Sequence, residues 1–330
     1  MPNTPTRPAV TVLLADIGGT NTRVALAHDG VVAKDTIRRF ANAESHTLES
    51  ILAGFLRDHG DVSCKGACIA VAGPVQDGRA EMTNLDWVVT PKGVESVLGN
   101  VRIAVINDLQ AQGYALDRLS PDKMHEALPG AQNPRPGPQL VVGIGTGFNA
   151  APVHRGQTGL LAVASECGHI SLPLRDAADL NLARHIEAAH GFASIEDVLS
   201  GRGLEGLYSW HGAQMAGSQA TGTVDAGQIM QRIALGTDPV ATATAATFVR
   251  FLGRVVGDLA LVHLPFGGIY LAGGVARAFR PLLRKHGFAA AFRDKGRFST
   301  FMDDFAVRVI EDDFAALEGC ANHISGLMAR

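Results

Sequence analysis

The stretch that decides the fold is Val10-Thr11-Val12-Leu13-Leu14-Ala15-Asp16-Ile17-Gly18-Gly19-Thr20-Asn21-Thr22-Arg23-Val24-Ala25-Leu26-Ala27. Val12 to Ala15 reads as a buried strand, Asp16 to Asn21 as a tight turn, and Thr22 to Leu26 as the returning strand of a hairpin. The plan recurs in the middle of the chain. Leu140-Val141-Val142 leads into Gly143-Ile144-Gly145-Thr146-Gly147-Phe148-Asn149, and Ala150-Ala151-Pro152-Val153 returns. A turn without Cβ atoms lets backbone N–H groups approach a polyanion closely, and Thr hydroxyls add donors. Two such turns can grip one nucleotide phosphate chain from both sides. No Gly-x-x-x-x-Gly-Lys-Ser/Thr loop is present, and Gly18-Gly19 opens a hairpin rather than a helix, so neither P-loop nor Rossmann logic applies.

Outward from the first hairpin, Leu48, Ile51, Leu52, Phe55 and Leu56 have helical spacing within Thr47 to His59. Ala67 to Ala72 reads as a buried strand closed by Gly73-Pro74, and Ile103 to Ile106 as a second that stops at Asn107-Asp108. That order predicts an α/β chain, a mixed sheet with covering helices. Ala131 to Pro138 is a Pro-rich loop before the second hairpin, which places a domain boundary between Asp117 and Pro138. Phe248, Phe251, Leu252, Val255, Val256 and Leu259 form one helical stripe, with Arg250, Arg254 and Asp258 opposite at four-residue steps. Gly268 to Ala272 is a short strand that Gly273-Gly274 turns into a helix from Ala276 to Lys285, and Ala315 to Leu327 again has helical spacing.

The chain has 330 residues, enough for two domains with real cores. With 46% hydrophobic and 18% charged residues it is an ordinary globular composition, and 38 glycines exceed the usual ~7%. A formal charge of -3 gives no reason to expect nucleic acid or an anionic membrane. Cys64, Cys68, Cys167 and Cys320 form neither a disulfide framework nor a zinc signature, so a reducing cytoplasm is expected, with the 64/68 spacing read as packing. Met1 to Pro8 lacks a secretory pattern, and Leu259 to Ala276 is interrupted by His263, Pro265 and two Gly pairs, so it reads as helix end, strand and turns rather than a membrane span.

Asp16, at a strand end beside a phosphate turn, is placed to hold Mg2+ through water; the plain alternative is a turn-initiating Asp. Asn107-Asp108 at another strand end is either an Asx turn or a pair that orients a sugar hydroxyl and takes its proton during phosphoryl transfer. Ser165-Glu166-Cys167-Gly168-His169 sets an acid and an imidazole three apart, suited to a polyol; His169 alone could equally be a core residue. Ser194-Ile195-Glu196-Asp197 reads as a helix start with Asp197 in capping-box position and Glu196 as a first-turn acid.

Together these segments resemble the bacterial glucokinase family of the hexokinase/actin-like superfamily. The matching pieces are Asp16-Ile17-Gly18-Gly19-Thr20-Asn21-x-Arg23, Met82-Thr83-Asn84-x-x-Trp87, Ile106-Asn107-Asp108, Gly145-Thr146-Gly147 and Glu166-x-Gly168-His169. Glu196-x-Val198-Leu199-Ser200-Gly201-x-Gly203, Ala272-Gly273-Gly274 and Asp294-Lys295-Gly296-Arg297-Phe298 complete them. The resemblance implies a two-domain actin-like ATPase (ribonuclease H-like) fold with a nucleotide and sugar cleft between domains. The small domain would span 1–118 plus 313–330 and the large one 119–312. It implies ATP-dependent phosphorylation of glucose at the 6-hydroxyl, with Asn107, Asp108, Glu166, His169 and Glu196 on glucose and Asp108 as general base. Gly18, Gly19, Thr20, Asn21, Gly145, Thr146 and Gly147 would cradle MgATP, Gly273 and Gly274 would lie against the adenosine, and the protein would be a cytoplasmic homodimer.

Four positions depart from the family pattern. Phe148 and Asn149 stand where Leu and Gly are common, and Ser165 and Cys167 replace Gly in Gly-Glu-Gly-Gly-His. Asn tolerates left-handed backbone, so the turn is expected to survive. The alternatives are a related kinase of different hexose preference and a non-catalytic sugar sensor. The repressor and kinase family usually carries a Cys-rich zinc motif, and none follows His169; a sensor would be expected to carry a helix-turn-helix before Val10.

Overall fold

A computed structural model describes residues 9–82, 85–132, 135–157, 159–216 and 224–329. The lead Met1 to Pro8 and the motif residues Thr83 and Asn84 lie outside the described residues. In chain order the elements begin β1 (Thr11–Ile17), β2 (Asn21–His28), β3 (Val31–Val32), β4 (Arg38–Ala41), α1 (Leu48–Asp58), β5 (Gly66–Val71), β6 (Val75–Gln76), β7 (Arg79–Glu81) and β8 (Val88–Val89). Then come α2 (Pro91–Leu98), β9 (Arg102–Asn107), α3 (Asp108–Ala115), β10 (Met124–Leu128), β11 (Gln139–Ile144), β12 (Phe148–Gly156), β13 (Gly159–Ala162), α4 (Ala177–His190) and α5 (Gly201–Ala216). The remainder are α6 (Ala226–Leu235), α7 (Pro239–His263), β14 (Ile269–Ala272), α8 (Gly274–Lys285), α9 (Phe288–Arg293), β15 (Val307–Ile310) and α10 (Ala315–Met328). The chain divides into two compact units, one of Met1–Ser120, Gly156–Ala162 and Asp313–Arg330, the other of Pro121–Arg155 and Val163–Asp312.

In the first unit the strand order is β3-β2-β1-β5-β9, with β4 also on β2. β1 reads as an almost unbroken apolar run because it is central and covered on both faces, and every residue from Val12 to Ile17 is buried. It pairs antiparallel with β2 and parallel with β5, which pairs parallel with β9. The register sets Ile17 beside Val71 and Val71 beside Asn107, so the carboxyl ends of three parallel strands meet at one sheet edge. On one face, α1 buries Leu48, Ile51, Leu52, Phe55 and Leu56, with Thr47 accepting the Ser50 N–H as its cap (3.2 Å). On the other, α10 packs on α3 and on β1 and β5, and Gly319 lets it approach the Ala111 backbone. Cys64, Cys68 and Cys320 are buried, and all four cysteines are free thiols.

The second unit repeats the scheme. Its strands run β10-β15-β14-β11-β12, with a β11/β12 antiparallel hairpin and β14 and β15 parallel to β11. The α7 stripe Phe248, Phe251, Leu252, Val255, Val256 and Leu259 is buried in a core with Leu140, Val142 and Ile144 of β11, and Phe248 stacks on Phe279 of α8 with centroids 4.1 Å apart. α7 ends at Leu264 in the left-handed conformation before β14, and α8 starts at Gly274, earlier than spacing predicts. No described helix is long and apolar enough to cross a membrane.

The charged positions of α7 do not form a ladder of their own. Arg250 and Arg254 both reach Asp179 of α4, which is fully buried, with Arg250 Nη1 2.6 Å from Oδ1, while Asp258 pairs with Lys295 Nζ at 2.8 Å. Burial works to raise the Asp179 pKa, but the Arg175 N–H, Arg254 and Arg250 outweigh it and hold the carboxyl below its ordinary value. Its contribution is therefore complete above the unfolded carboxylate pKa of ~3.9 and is lost as pH falls through the lower folded value. Asp179→Asn is expected to cost about 3 kcal/mol at pH 7, because it strips the Arg254 guanidinium, 11% exposed, of its carboxylate and leaves Arg250 only the longer pair with Asp176 (3.5 Å). Thermal melts across pH should show the gap from wild type narrowing below about pH 4; a gap constant with pH would rule out the charge pairing as its source.

Candidate active site

The first glycine turn is closed by the Gly18 N–H donating to Asn21 O (3.0 Å). A buried side chain pins it from behind: Asn42 Nδ2 donates to Gly18 O (2.8 Å), its backbone N–H to Thr20 O (2.9 Å), and Thr22 Oγ1 donates to Asn42 Oδ1 (2.8 Å). Asn42 carries no motif signal, and its role was not legible in the sequence. Asp16, the penultimate residue of β1, takes a 2.9 Å ion pair from Arg23 Nη1 across the hairpin. Burial pushes the Asp16 carboxyl up, and Arg23 acts against it.

At the same sheet edge, β9 passes directly into α3. Asn107 is the N-cap: Oδ1 accepts the Leu109 N–H (2.9 Å), and Gln110 Oε1 accepts the Asn107 N–H (3.1 Å). Its Nδ2 donates to Gly73 O (2.9 Å), tying the cap to the end of the β5 loop. Asp108 is the first helical residue, half-buried, with Oδ1 accepting the Leu109 N–H at 2.9 Å. The local capping reading therefore holds, and the pair stands at the carboxyl edge of the sheet. The first unit gathers Asp16, Gly18, Gly19, Thr20, Asn21, Asn107 and Asp108 along one edge.

The second unit gathers the others. The Gly145 N–H donates to Gly147 O (2.9 Å), and the Gly201 N–H donates to Gly145 O (2.9 Å). Glu196 Oε2 accepts the Phe148 N–H (2.8 Å), its Oε1 lies 3.2 Å from Arg202 Nη2, and its N–H donates to Gly168 O (2.9 Å). A side chain at Gly147 would run into that carboxylate. Arg202 falls on an unspecified position of the quoted Glu196 motif and gave no separate signal. A cavity of about 900 Å³ borders Glu196 and Arg202.

The segment around Glu196 corrects the sequence expectation of a helix start. Ser194 and Asp197 do form the reciprocal pair, with the Ser194 N–H on Asp197 Oδ2 (2.9 Å) and the Asp197 N–H on Ser194 Oγ (3.3 Å). Yet helix begins only at Gly201, because the chain makes one turn and then commits its next backbone donor to the Gly145 turn. The Gly145 turn survives the Asn at 149, and without left-handed backbone there. Asn149 sits inside β12, with its side chain bonded to the 165–167 segment. Phe148 is buried in the core, an apolar ring where the pattern has an apolar Leu. Glu166 and His169 are exposed side chains (54% and 63%) with Oε2 and Nε2 4.0 Å apart, so His169 is not a core residue.

β11 and β14 pair Gly143 with Ala272, bringing the Gly145 turn beside Gly273-Gly274. Gly273 has φ 102° and backs onto Ile144 O, where no Cβ fits. Around the Cβ positions of Gly145 and Gly274 there is open space, as a backbone cradle for a phosphate or ribose requires. Among the described residues no cluster of three or more His, Cys, Asp or Glu could hold a metal by itself. Asp16 would be a lone carboxylate ligand, suited to an ion that keeps waters and takes its other ligands from phosphates.

The sequence matches the family model described as Glucokinase over residues 13–326. The chain belongs to the glucokinase family. It is 33% identical to the glucokinase of Rhizobium johnstonii over 323 residues, covering 98% of this chain and 94% of that protein. It is 36% identical to that of Mesorhizobium japonicum over 310 residues, 94% and 90% of the two. Among solved structures, a glucokinase from an Antarctic psychrotroph superposes with a TM-score of 0.81 at 30% identity, over 95% of this chain and 98% of that one. The glucokinase-family chain thus has a mixed α/β fold of the sugar-kinase type in two units.

Proposed function

We propose a residue-level account of the glucokinase reaction for this chain. The reaction is ATP-dependent phosphorylation of glucose, which follows from family membership along nearly the full chain. The observation that carries the account is the Ile17–Val71–Asn107 row, which sets the first glycine turn and Asp108 along one sheet edge. Ligands of parallel sheets collect at that carboxyl edge.

In this account the turns Gly18, Gly19, Thr20, Asn21 and Gly145, Thr146, Gly147 receive the phosphates of ATP, and Gly273 and Gly274 lie against the adenosine. Glucose takes hydrogen bonds from or to Asn107, Asp108, Glu166, His169 and Glu196. The 6-oxygen attacks the γ-phosphorus, its bond to phosphorus forms as the bond to the β–γ bridging oxygen breaks, ADP leaves, and Asp108 takes the hydroxyl proton. Mg2+, when bound, supplies neutralisation of phosphate charge, and Asp16 is the residue that would hold it through water. Backbone donors in the turns fix the phosphates before reaction, so most of the rate comes from positioning and electrostatics. The site is a cleft between a small domain (1–118 plus 313–330) and a large one (119–312), in a cytoplasmic homodimer; the resemblance carries these points.

Coupled ADP release with MgATP across glucose, mannose, fructose, N-acetylglucosamine and no sugar tests the assignment. Glucose is expected to give the highest kcat/KM. A higher value for another hexose would make the chain a related sugar kinase, and saturable glucose binding without turnover would make it a sensor.

A further inference from the structure

Asn149, Ser165 and Cys167 are three of the four positions at which this chain leaves the family's glycine-rich pattern, and they touch one another. Asn149 Oδ1 accepts the Ala150 N–H (2.8 Å), the Cys167 N–H (3.1 Å) and the Ser165 hydroxyl (3.0 Å). Its Nδ2 donates to the Ser165 carbonyl and to Glu166 Oε2, the latter at 3.2 Å. The orientation of the amide is forced, because two backbone N–H groups can meet only its oxygen and a carbonyl can meet only its nitrogen. The single Ser165 hydroxyl proton is shared between Asn149 Oδ1 and the nearer Ala150 O (2.7 Å), both on β12.

Glu166 sits between two residues held by one side chain, and that same side chain also reaches its carboxylate. An exposed Glu would otherwise lose rotamer freedom each time it bound a polyol. Holding it beforehand removes that cost from binding. A glycine at 149 could make none of these bonds, and glycines at 165 and 167 would leave the backbone around Glu166 looser.

We infer that Asn149 is a positioning residue that presents Glu166 to the sugar, so that this chain replaces a glycine-rich sugar loop with one anchored by side chains. The inference rests on Glu166 being a sugar contact. It locates the anchoring in Asn149 Nδ2, outside the family motif.

The test measures glucose KM, ATP KM, kcat and melting temperature for wild type, Asn149→Ala, Glu166→Ala and the double variant. Asn149→Ala is expected to raise glucose KM about tenfold, as loss of a hydrogen bond to a charged group does, with kcat within about threefold and ATP KM unchanged. In the Glu166→Ala background the same substitution should add less than about twofold, since residues acting as one unit are not additive. A loop-stabilising role alone would lower the melting temperature equally in both backgrounds without that coupling. Asn149→Asp keeps the acceptor for Ala150 and Cys167 but turns an oxygen toward Glu166, and should raise glucose KM further than Ala does. The inference falls if Asn149→Ala and Asn149→Asp leave glucose KM within about twofold of wild type, or if the full tenfold persists without Glu166. If Glu166→Ala itself leaves glucose KM unchanged, it is the sugar-contact reading that fails.

Discussion

Asp108→Asn is expected to lower kcat for glucose about a thousandfold while glucose KM stays within a few-fold, measured by coupled ADP release and by glucose binding. The substitution is nearly isosteric, and an Asn Oδ1 can still accept the Leu109 N–H that Asp108 accepts at 2.9 Å. The cap made by Asn107 is untouched, so β9 and α3 keep their junction. What is removed is the capacity to accept a proton from the attacking hydroxyl. A thousandfold is about 4 kcal/mol of barrier, within what a positioned general base supplies. Turnover within threefold of wild type would remove Asp108 from the chemistry and leave it a helix residue.

The parts of the fold that were legible are those in which short-range pattern and long-range pairing agree. Val12 to Ala15 and Leu140 to Val142 are continuous apolar runs because their strands are covered on both faces, and each is followed by glycine at a turn that has to close in a few residues. The α7 stripe was readable for the same reason: six apolar side chains recur at helical spacing and meet one core. The failures have the opposite character. Ser194 and Asp197 make their reciprocal bonds, and the spacing is right, but the Gly201 N–H belongs to Gly145 O, a partner far back in the chain. What Asn149 does was not legible, because its partners come from residues 165–167 rather than from its own turn. Arg250 and Arg254 do share one face of α7, but that the face meets a buried Asp179 of α4 was not in the spacing. Asn42 is a lone Asn in unremarkable sequence, and only the fold brings it behind Gly18.

Glu196→Ala is expected to raise the KM for glucose and the KM for ATP together and to lower kcat about a hundredfold, whereas Glu166→Ala should move glucose alone. The difference lies in what each carboxylate holds. Glu166 is exposed and bonds no part of a glycine turn, while Glu196 Oε2 caps the end of one by accepting the Phe148 N–H at 2.8 Å. The preceding residue is Gly147, whose carbonyl accepts the Gly145 N–H, so removing the carboxylate orphans a donor at the point where the glycine turn closes. An Ala there leaves the turn free to shift by fractions of an ångström, and positioning errors of that size are costly when catalysis is mainly orientation. Glu196→Gln separates the two effects. Its amide oxygen can still accept from Phe148, so ATP KM should return toward wild type, while loss of the charge paired with Arg202 at 3.2 Å should leave glucose KM raised. An ATP KM unchanged in Glu196→Ala would mean that the turn holds its shape without the brace.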